Sequence, residues 1–198
     1  MALHILVGLK RLDDAKQRLM PDLSPPNRRE LMLTMLRTVV AAARESGLGP
    51  VALATSEPTA PALARELGVT TVSDGGLAWN EGLVHGLSLL RPQPAAVLYL
   101  AADLPLLTSA ELHQFASAAP DPGVCIARAT DGGTNALLVT PANGTVPHFG
   151  ARRSSEVHAE AARAAGLAWR VIDIPGLALD VDTIADAWAT GVVPRPGG

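Results

Sequence analysis

The sequence predicts an α/β domain whose sheet is mainly parallel and flanked by helices. Two observations carry this. Short apolar runs alternate along the chain with longer stretches of helical spacing. One such run, Val97-Leu98-Tyr99-Leu100-Ala101-Ala102, lies between Pro94 and Pro105 and reads as a buried central strand. It ends in a single acid, Asp103. In open α/β sheets the carboxyl edge of the strands is where ligands bind. A carboxylate there suits Mg²⁺, which takes one or two carboxylates plus substrate phosphates. Asp is also common in turns, so Asp103 has a second possible role before Leu104-Pro105.

Composition narrows the class. The chain has 198 residues, enough for one domain with a sizeable core. It is 48% hydrophobic but only 3% aromatic, so Ala, Leu and Val must fill that core. The net charge of −3 gives no electrostatic surface for nucleic acid. Cys125 is the only cysteine and sits in the apolar run Val124-Cys125-Ile126-Ala127, which suits a core position and a reduced, cytoplasmic setting. The apolar start is too short for a secretion signal, and no run is long enough to span a membrane.

In chain order, Leu3 to Leu9 reads as the first strand. Lys10, Lys16 and Arg18 follow within a polar segment and can face a nucleoside triphosphate or simply face water. No glycine-rich phosphate loop accompanies them. Ser24 caps a helix opened by Pro25, with Leu31, Met35, Leu36, Val39, Val40 and Ala43 on its inner face and Gly47 at its end. Val51–Ala54 is a strand. Ser56 and Pro58 open a helix that stops at Gly68, and Val69–Val72 is a strand. Asn80 either caps the next helix or meets a base or ribose.

Beyond Asp103, Ser109 starts a helix to about Ala118, and Val124–Ala127 is a strand. Thr130-Asp131-Gly132-Gly133-Thr134-Asn135 then leads into the strand Ala136–Val139. That polar turn is either an anion cradle or an ordinary hairpin. Ser154 or Ser155 opens a helix to Ala165 behind Gly150 and two arginines, an arrangement open to an anion at the helix start or to plain capping. His158 within it reads as a packing or hydrogen-bonding residue. Trp169–Ile174 is the last strand. Asp180 and Asp182 then lie at i and i+2 in an apolar stretch, on one side if extended. Two such acids need a cation, although Asp182 or Thr183 can cap a final helix near Ile184. Residues 192–198 read as a flexible tail. Asp103, Asp180 and Asp182 at strand ends, with the cationic segment after the first strand, make a layout for magnesium and a nucleoside triphosphate.

Five motifs in order carry a resemblance. They are Lys10 with Ala15-Lys16-Gln17-Arg18-Leu19, Ser24-Pro25 to Arg29, and Ala102-Asp103-Leu104-Pro105-Leu106-Leu107. Gly132-Gly133-Thr134-Asn135-Ala136-Leu137 follows. The last comprises Phe149-Gly150, Ser154 and His158, then Leu179-Asp180-Val181-Asp182-Thr183. Together they resemble the guanylyltransferases of coenzyme F-420 biosynthesis, relatives of the molybdenum-cofactor nucleotidyltransferases. Three segments differ from the usual pattern. The first strand runs into Gly8-Leu9-Lys10-Arg11, Trp79 precedes Asn80, and the Phe149–His158 segment is one residue longer, with Arg152-Arg153.

The resemblance implies a single nucleotidyltransferase domain over residues 1–198, Rossmann-like and GT-A-like, with a mixed, mainly parallel sheet. It implies transfer of GMP from GTP to phosphoenolpyruvate or 2-phospho-L-lactate. Two Mg²⁺ ions on Asp103, Asp180 and Asp182 are expected. Lys16 and Arg18, with Lys10 and Asn80, would meet GTP. Thr134, Asn135, Gly150 and Ser154 would hold the acceptor. Small molecules, not nucleic acid or membrane, are the expected partners. Related nucleotidyltransferases with another triphosphate or acceptor, and a non-catalytic nucleotide binder, are the competing classes. The three acids speak against the last.

Overall fold

The first strand, β1 (Leu3–Gly8), is buried at all six positions. A computed structural model, which describes residues 3–195, pairs it in parallel with β2 (Val51–Ala54) on one side and β4 (Ala96–Leu100) on the other. Those two strands are also buried throughout, which is why all three read as short apolar runs. The register sets Gly8 opposite Ala54, and Val7 opposite Leu100. The loops that follow these strands therefore open on one edge of the sheet.

The full order is β3-β2-β1-β4-β6-β5-β7, with β3 at Thr70–Val72, β5 at Gly123–Arg128, β6 at Thr134–Thr140 and β7 at Ala168–Ile172. Among the described strands only β6 runs against its neighbours, β4 and β5. That reversal brings its amino end, Thr134-Asn135, to the edge where the parallel strands have their carboxyl ends. A hairpin at Asp131-Gly132-Gly133, one of the two readings of that turn, is what makes the reversal: Gly132 takes φ +88° and Gly133 N–H donates to Asp131 Oδ1 at 2.7 Å.

The β5–β6 ladder is irregular at this end. Ala127 faces Ala136, but Arg128 faces Thr134, so β6 carries an extra residue at Asn135. Such a bulge re-aims side chains. Ala136 and Leu138 lie in the core layer that contains α1 (Pro25–Glu45), and simple alternation would send Thr134 there too. Instead Thr134 meets α5 (Ser154–Ala164) on the other face, and Asn135 turns toward Leu177.

The helices follow their sequence signals. Ser24 Oγ accepts from Asn27 N–H at the start of α1, its predicted inner face is buried, and Gly47 sits past its end at φ +60°. α4 (Ser109–Ser117) starts at a capping box of Thr108 and Glu111. α7 (Ile184–Ala189) starts at a second box, Thr183 with Asp186, so Thr183 is the cap and Asp182 is left for other contacts. Around the sheet, α1 and α4 cover one face with α2 (Ala60–Leu67). Leu83 and Leu87 of α3 (Trp79–Leu89) pack on the other with Ala159 and Ala162 of α5. Cys125 is fully buried, and burial pushes its thiol up to about 11, in keeping with a core role. Among the described residues no helix is long and apolar enough to cross a membrane.

Four local expectations change. α2 begins at Ala60, and Ser56 and Pro58 lie in the turn before it. The residue before α3 is Ala78, whose side chain cannot cap, so Asn80 stands inside the first turn. The last strand, β7, ends at Ile172, two residues before the expected Ile174, and Pro175–Ala178 forms a short helix, α6, because Pro175 suits a helix start. The tail does not begin at residue 192. Val192 and Val193 pack on the core, and Val193 N–H donates to Ala187 O at 3.2 Å. Residues 196–198 lie outside the described part.

Candidate active site

Asp103 follows β4, and Asp180 and Asp182 follow α6. The three each bring a carboxylate oxygen within 4.8 Å of the others, half-buried at the sheet edge. Each has a distinct support. Asn135 Nδ2 donates to Asp180 Oδ1 at 3.1 Å and to Leu177 O at 3.0 Å, which ties the bulge of β6 to the end of α6. Asp182 N–H donates to Asp186 Oδ2 at 3.1 Å, on the cap of α7. Lys16 Nζ donates to Asp103 and, at 3.4 Å, to Asp182 Oδ1. Arg18 Nη1 reaches Asp182 Oδ2 at 2.7 Å.

The charges explain the titration behaviour. Burial, then repulsion from Asp103 and Asp182, pushes the Asp180 carboxyl above its ordinary value, against the hydrogen bond from Asn135. Burial pulls Lys16 down, but its contacts with Asp103, Asp182 and Asp180 outweigh this and raise it. Three carboxylates against Lys16 and Arg18 leave one negative charge in excess. Hard oxygen donors, clustered and under-neutralised, fit a divalent cation such as Mg²⁺.

The basic segment is positioned by residues that no motif announced. It folds as two single-turn 3₁₀ helices, Leu12–Asp14 and Gln17–Leu19, with Leu12, Ala15 and Leu19 buried beneath. Lys16 stands between them at φ 53°, ψ 42°, a left-handed conformation unusual for a side chain of its kind. Two buried groups hold it. Glu57, 6% exposed, accepts from Leu12 N–H at 2.8 Å, and Arg28 Nη1 donates to Ala15 O at 3.2 Å. Burial pushes Glu57 up, but bonds from Thr59 and Leu12 outweigh it and keep the carboxyl below its ordinary value.

Lys10 does not join the acids. Its ammonium lies 5.2 Å from the centre of the Trp79 ring. Both line a pocket with Arg11, Ser56 and Asp74, beside the ends of β1 and β2. Gly8 is required there, since a Cβ would meet the Trp79 ring at 2.6 and 2.7 Å.

A third group lies on the α5 side. Ser154 Oγ donates to Thr134 Oγ1 at 3.1 Å, and Thr134 Oγ1 lies 3.0 Å from His158 Nδ1. Both serines at the helix start are buried. Ser155 Oγ donates to Gly132 O at 2.8 Å and so anchors the hairpin turn. Gly150 has φ +79° with open space at its Cβ position, so its backbone conformation is what calls for glycine. Arg153 takes a left-handed φ of 55° before α5 and pairs with Glu156.

The sequence-predicted residues thus fall into three neighbouring groups. Asp103, Asp180, Asp182, Lys16 and Arg18 form one. Thr134 and Ser154 belong to a second, and Lys10, beside Trp79, to a third. Two assignments need correction. Asn135 donates both side-chain amide hydrogens, to Leu177 and Asp180, so its side chain positions an acid and has no hydrogen left for an acceptor anion. Asn80 neither caps α3 nor points its amide freely at a nucleotide. Its Nδ2 donates to Phe149 O at 3.0 Å and its Oδ1 accepts from Phe149 N–H at 2.9 Å, which clamps the loop carrying Gly150.

Comparison with known proteins agrees with this architecture. The family described as "Guanylyl transferase CofC like" matches residues 3–189. A phosphoenolpyruvate guanylyltransferase of Sphaerobacter thermophilus is 36% identical over 186 residues, covering 91% of this chain and 88% of that protein. A 2-phospho-L-lactate guanylyltransferase of Methanoregula boonei is 35% identical, covering 90% and 77%. Among solved structures, a putative nucleotide-diphospho-sugar transferase from Desulfovibrio desulfuricans G20 shares the fold with TM-score 0.76 at 16% identity, over 94% of this chain and 85% of that one. The chain belongs to the CofC-like guanylyltransferase family.

Proposed function

We propose that this protein transfers GMP from GTP to the phosphate of a small phospho-acid and releases pyrophosphate, as a step of coenzyme F-420 biosynthesis. The acid cluster beside the basic segment is the observation that carries the reading. Phosphoenolpyruvate is the first acceptor to test, and 2-phospho-L-lactate the second, since relatives covering most of the chain bear those names. Burial of the one free cysteine suits a cytoplasmic enzyme.

An acceptor phosphate oxygen forms a bond to the α-phosphorus of GTP. The bond from that phosphorus to the oxygen bridging to the β-phosphate breaks, and pyrophosphate leaves. The attacking oxygen is already anionic, so no strong general base is needed. The chain's task is to position the reactants and offset their charge. Lys16 and Arg18 would face the triphosphate. The pocket of Trp79, Lys10 and Asp74 would take the nucleoside. Thr134, Ser154 and the Gly150 loop would hold the acceptor. Asp103, Asp180 and Asp182 would hold one or two Mg²⁺ ions, which neutralise charge on the phosphates.

Mass spectrometry of products tests this, with GTP offered alongside phosphoenolpyruvate, 2-phospho-L-lactate and 3-phosphoglycerate separately. A GMP adduct of phosphoenolpyruvate or 2-phospho-L-lactate is expected. Turnover with CTP in preference to GTP, or no adduct with either acid, would overturn it.

A further inference from the structure

His158 sits at the centre of a hydrogen-bond chain whose direction is fixed at one end by a backbone N–H. The residue is fully buried on α5. Its Nε2 lies 2.7 Å from the backbone N–H of His148, which can only donate. Nε2 is therefore an acceptor and carries no proton. The proton of the neutral ring must be on Nδ1, 3.0 Å from Thr134 Oγ1. Thr134 Oγ1 then accepts from His158, beside the Ser154 backbone carbonyl, which also accepts from the ring, and it can accept from Ser154 Oγ as well. A hydroxyl oxygen has two acceptor sites and one hydrogen. With Ser154 as the donor of that pair, both acceptor sites are filled and the Thr134 hydrogen is left for a third partner.

The surroundings keep the ring neutral. Its neighbours are the edge of the Phe149 ring, 5.3 Å between centres, and the His148 ring at 5.8 Å. Among the described residues no carboxylate forms a salt bridge with it. Burial first, then proximity to His148, brings its pKa down to about 4.

We propose that His158 is a positioning residue that, as its Nδ1–H tautomer, turns the Thr134 hydroxyl hydrogen outward as a donor for the anionic acceptor. This rests on the reading that Thr134 faces the phospho-acid. A ring protonated at Nε2 would lose the bond from His148 and would let Thr134 donate inward to Nδ1, which leaves an oxygen lone pair facing the anion. The same residue also carries the Phe149 ring, so the loop clamped by Asn80 and the hydroxyl donor are set by one side chain.

The test has two parts. The first is the wild-type protein labelled with ¹⁵N-histidine, in which long-range ¹⁵N–¹H correlation reads the tautomer at neutral pH. A protonated Nδ1 with a bare Nε2 is expected, whatever the reaction proves to be. An Nε2–H ring or an imidazolium overturns the proposal. The second is steady-state kinetics. His158→Leu is expected to raise the acceptor KM by about ten- to hundredfold, the scale of one hydrogen bond to a charged group, with the GTP KM within a few-fold. Thr134→Val should match it, and the double variant should be little worse than either. His158→Asn, which keeps a donor near the Nδ1 position, should recover most of the loss. Equal shifts in both KM values, or additive losses, would overturn the proposal. Failure of the wild-type enzyme to transfer GMP would instead refute the functional reading, and the tautomer would still be decided by the spectrum.

Discussion

Lys16 and Asp103 stand 87 positions apart in the chain, and the ammonium of one donates to the carboxylate of the other at the carboxyl edge of the sheet. The Lys16 side chain is only 7% exposed. A charge buried this far is tolerable because its partner is there; removing one partner of such a pair costs about 3–5 kcal/mol, more than the pair contributes as a whole. Asp103→Asn keeps the size and an acceptor oxygen but removes the charge. It is expected to stay folded, with a lowered denaturant midpoint, and to lose pyrophosphate release by about a hundredfold or more. Asp103→Leu should also unfold at lower denaturant. Asp180→Asn added to Asp103→Asn should cost little further turnover, since the acids act as a unit. Turnover within a few-fold of wild type would reduce Asp103 to a turn residue.

Arg18 pairs with Asp182 from a side chain that is 76% exposed. An exposed ion pair contributes at most about 1 kcal/mol. Arg18→Ala should therefore leave the thermal midpoint almost unchanged and raise the GTP KM. A shift confined to the acceptor KM would show that the basic segment serves the other substrate.

Asn80 separates two assignments cleanly. Both ends of its amide bind the Phe149 backbone. Asn80→Ala removes both bonds and frees the loop that presents Gly150. The expected result is a higher acceptor KM and a loss of about 1–3 kcal/mol in unfolding free energy, with the GTP KM little altered. A dominant effect on GTP would return Asn80 to the nucleotide.

Much of this could be read from local sequence because the signals are local. Ser24, Pro25 and Gly47 bracket α1, and unbroken apolar runs mark β1, β2 and β4, since a strand covered on both faces has no polar side to confuse the pattern. The three acids stood out because carboxylates in apolar stretches need a reason. What was not legible depends on contacts far apart in the chain. Nothing near Asn135 tells that a bulge will turn it to Asp180, 45 positions on. Glu57 looks like any surface acid after Ser56, yet it is buried under Leu12. Asn80 resembles a helix cap because Asn is a good one, but the chain enters α3 one residue before Trp79, and the amide is left to reach Phe149.

His158 also makes stability depend on pH in a calculable direction. In the unfolded chain it takes up a proton near 6.5; in the folded protein it does so only near about 4, because burial and His148 oppose the charge. Between those values the unfolded state holds more protons, so stability rises with pH across the window and falls as acid is added. Above 6.5 the ring is neutral in both states and contributes no slope. The gap between 6.5 and about 4 corresponds to about 3 kcal/mol. Glu57 acts in the same sense at lower pH, since its folded value is depressed and its contribution is lost as pH falls below about 4.5. It is present in wild type and in His158→Asn alike, so it cancels in their difference. Urea unfolding of both proteins across this range is the measurement. The stability of wild type relative to the variant should be level above pH 6.5 and shrink steadily toward pH 4. A difference that does not change with pH would mean that the ring titrates in the folded protein as it does in the unfolded chain.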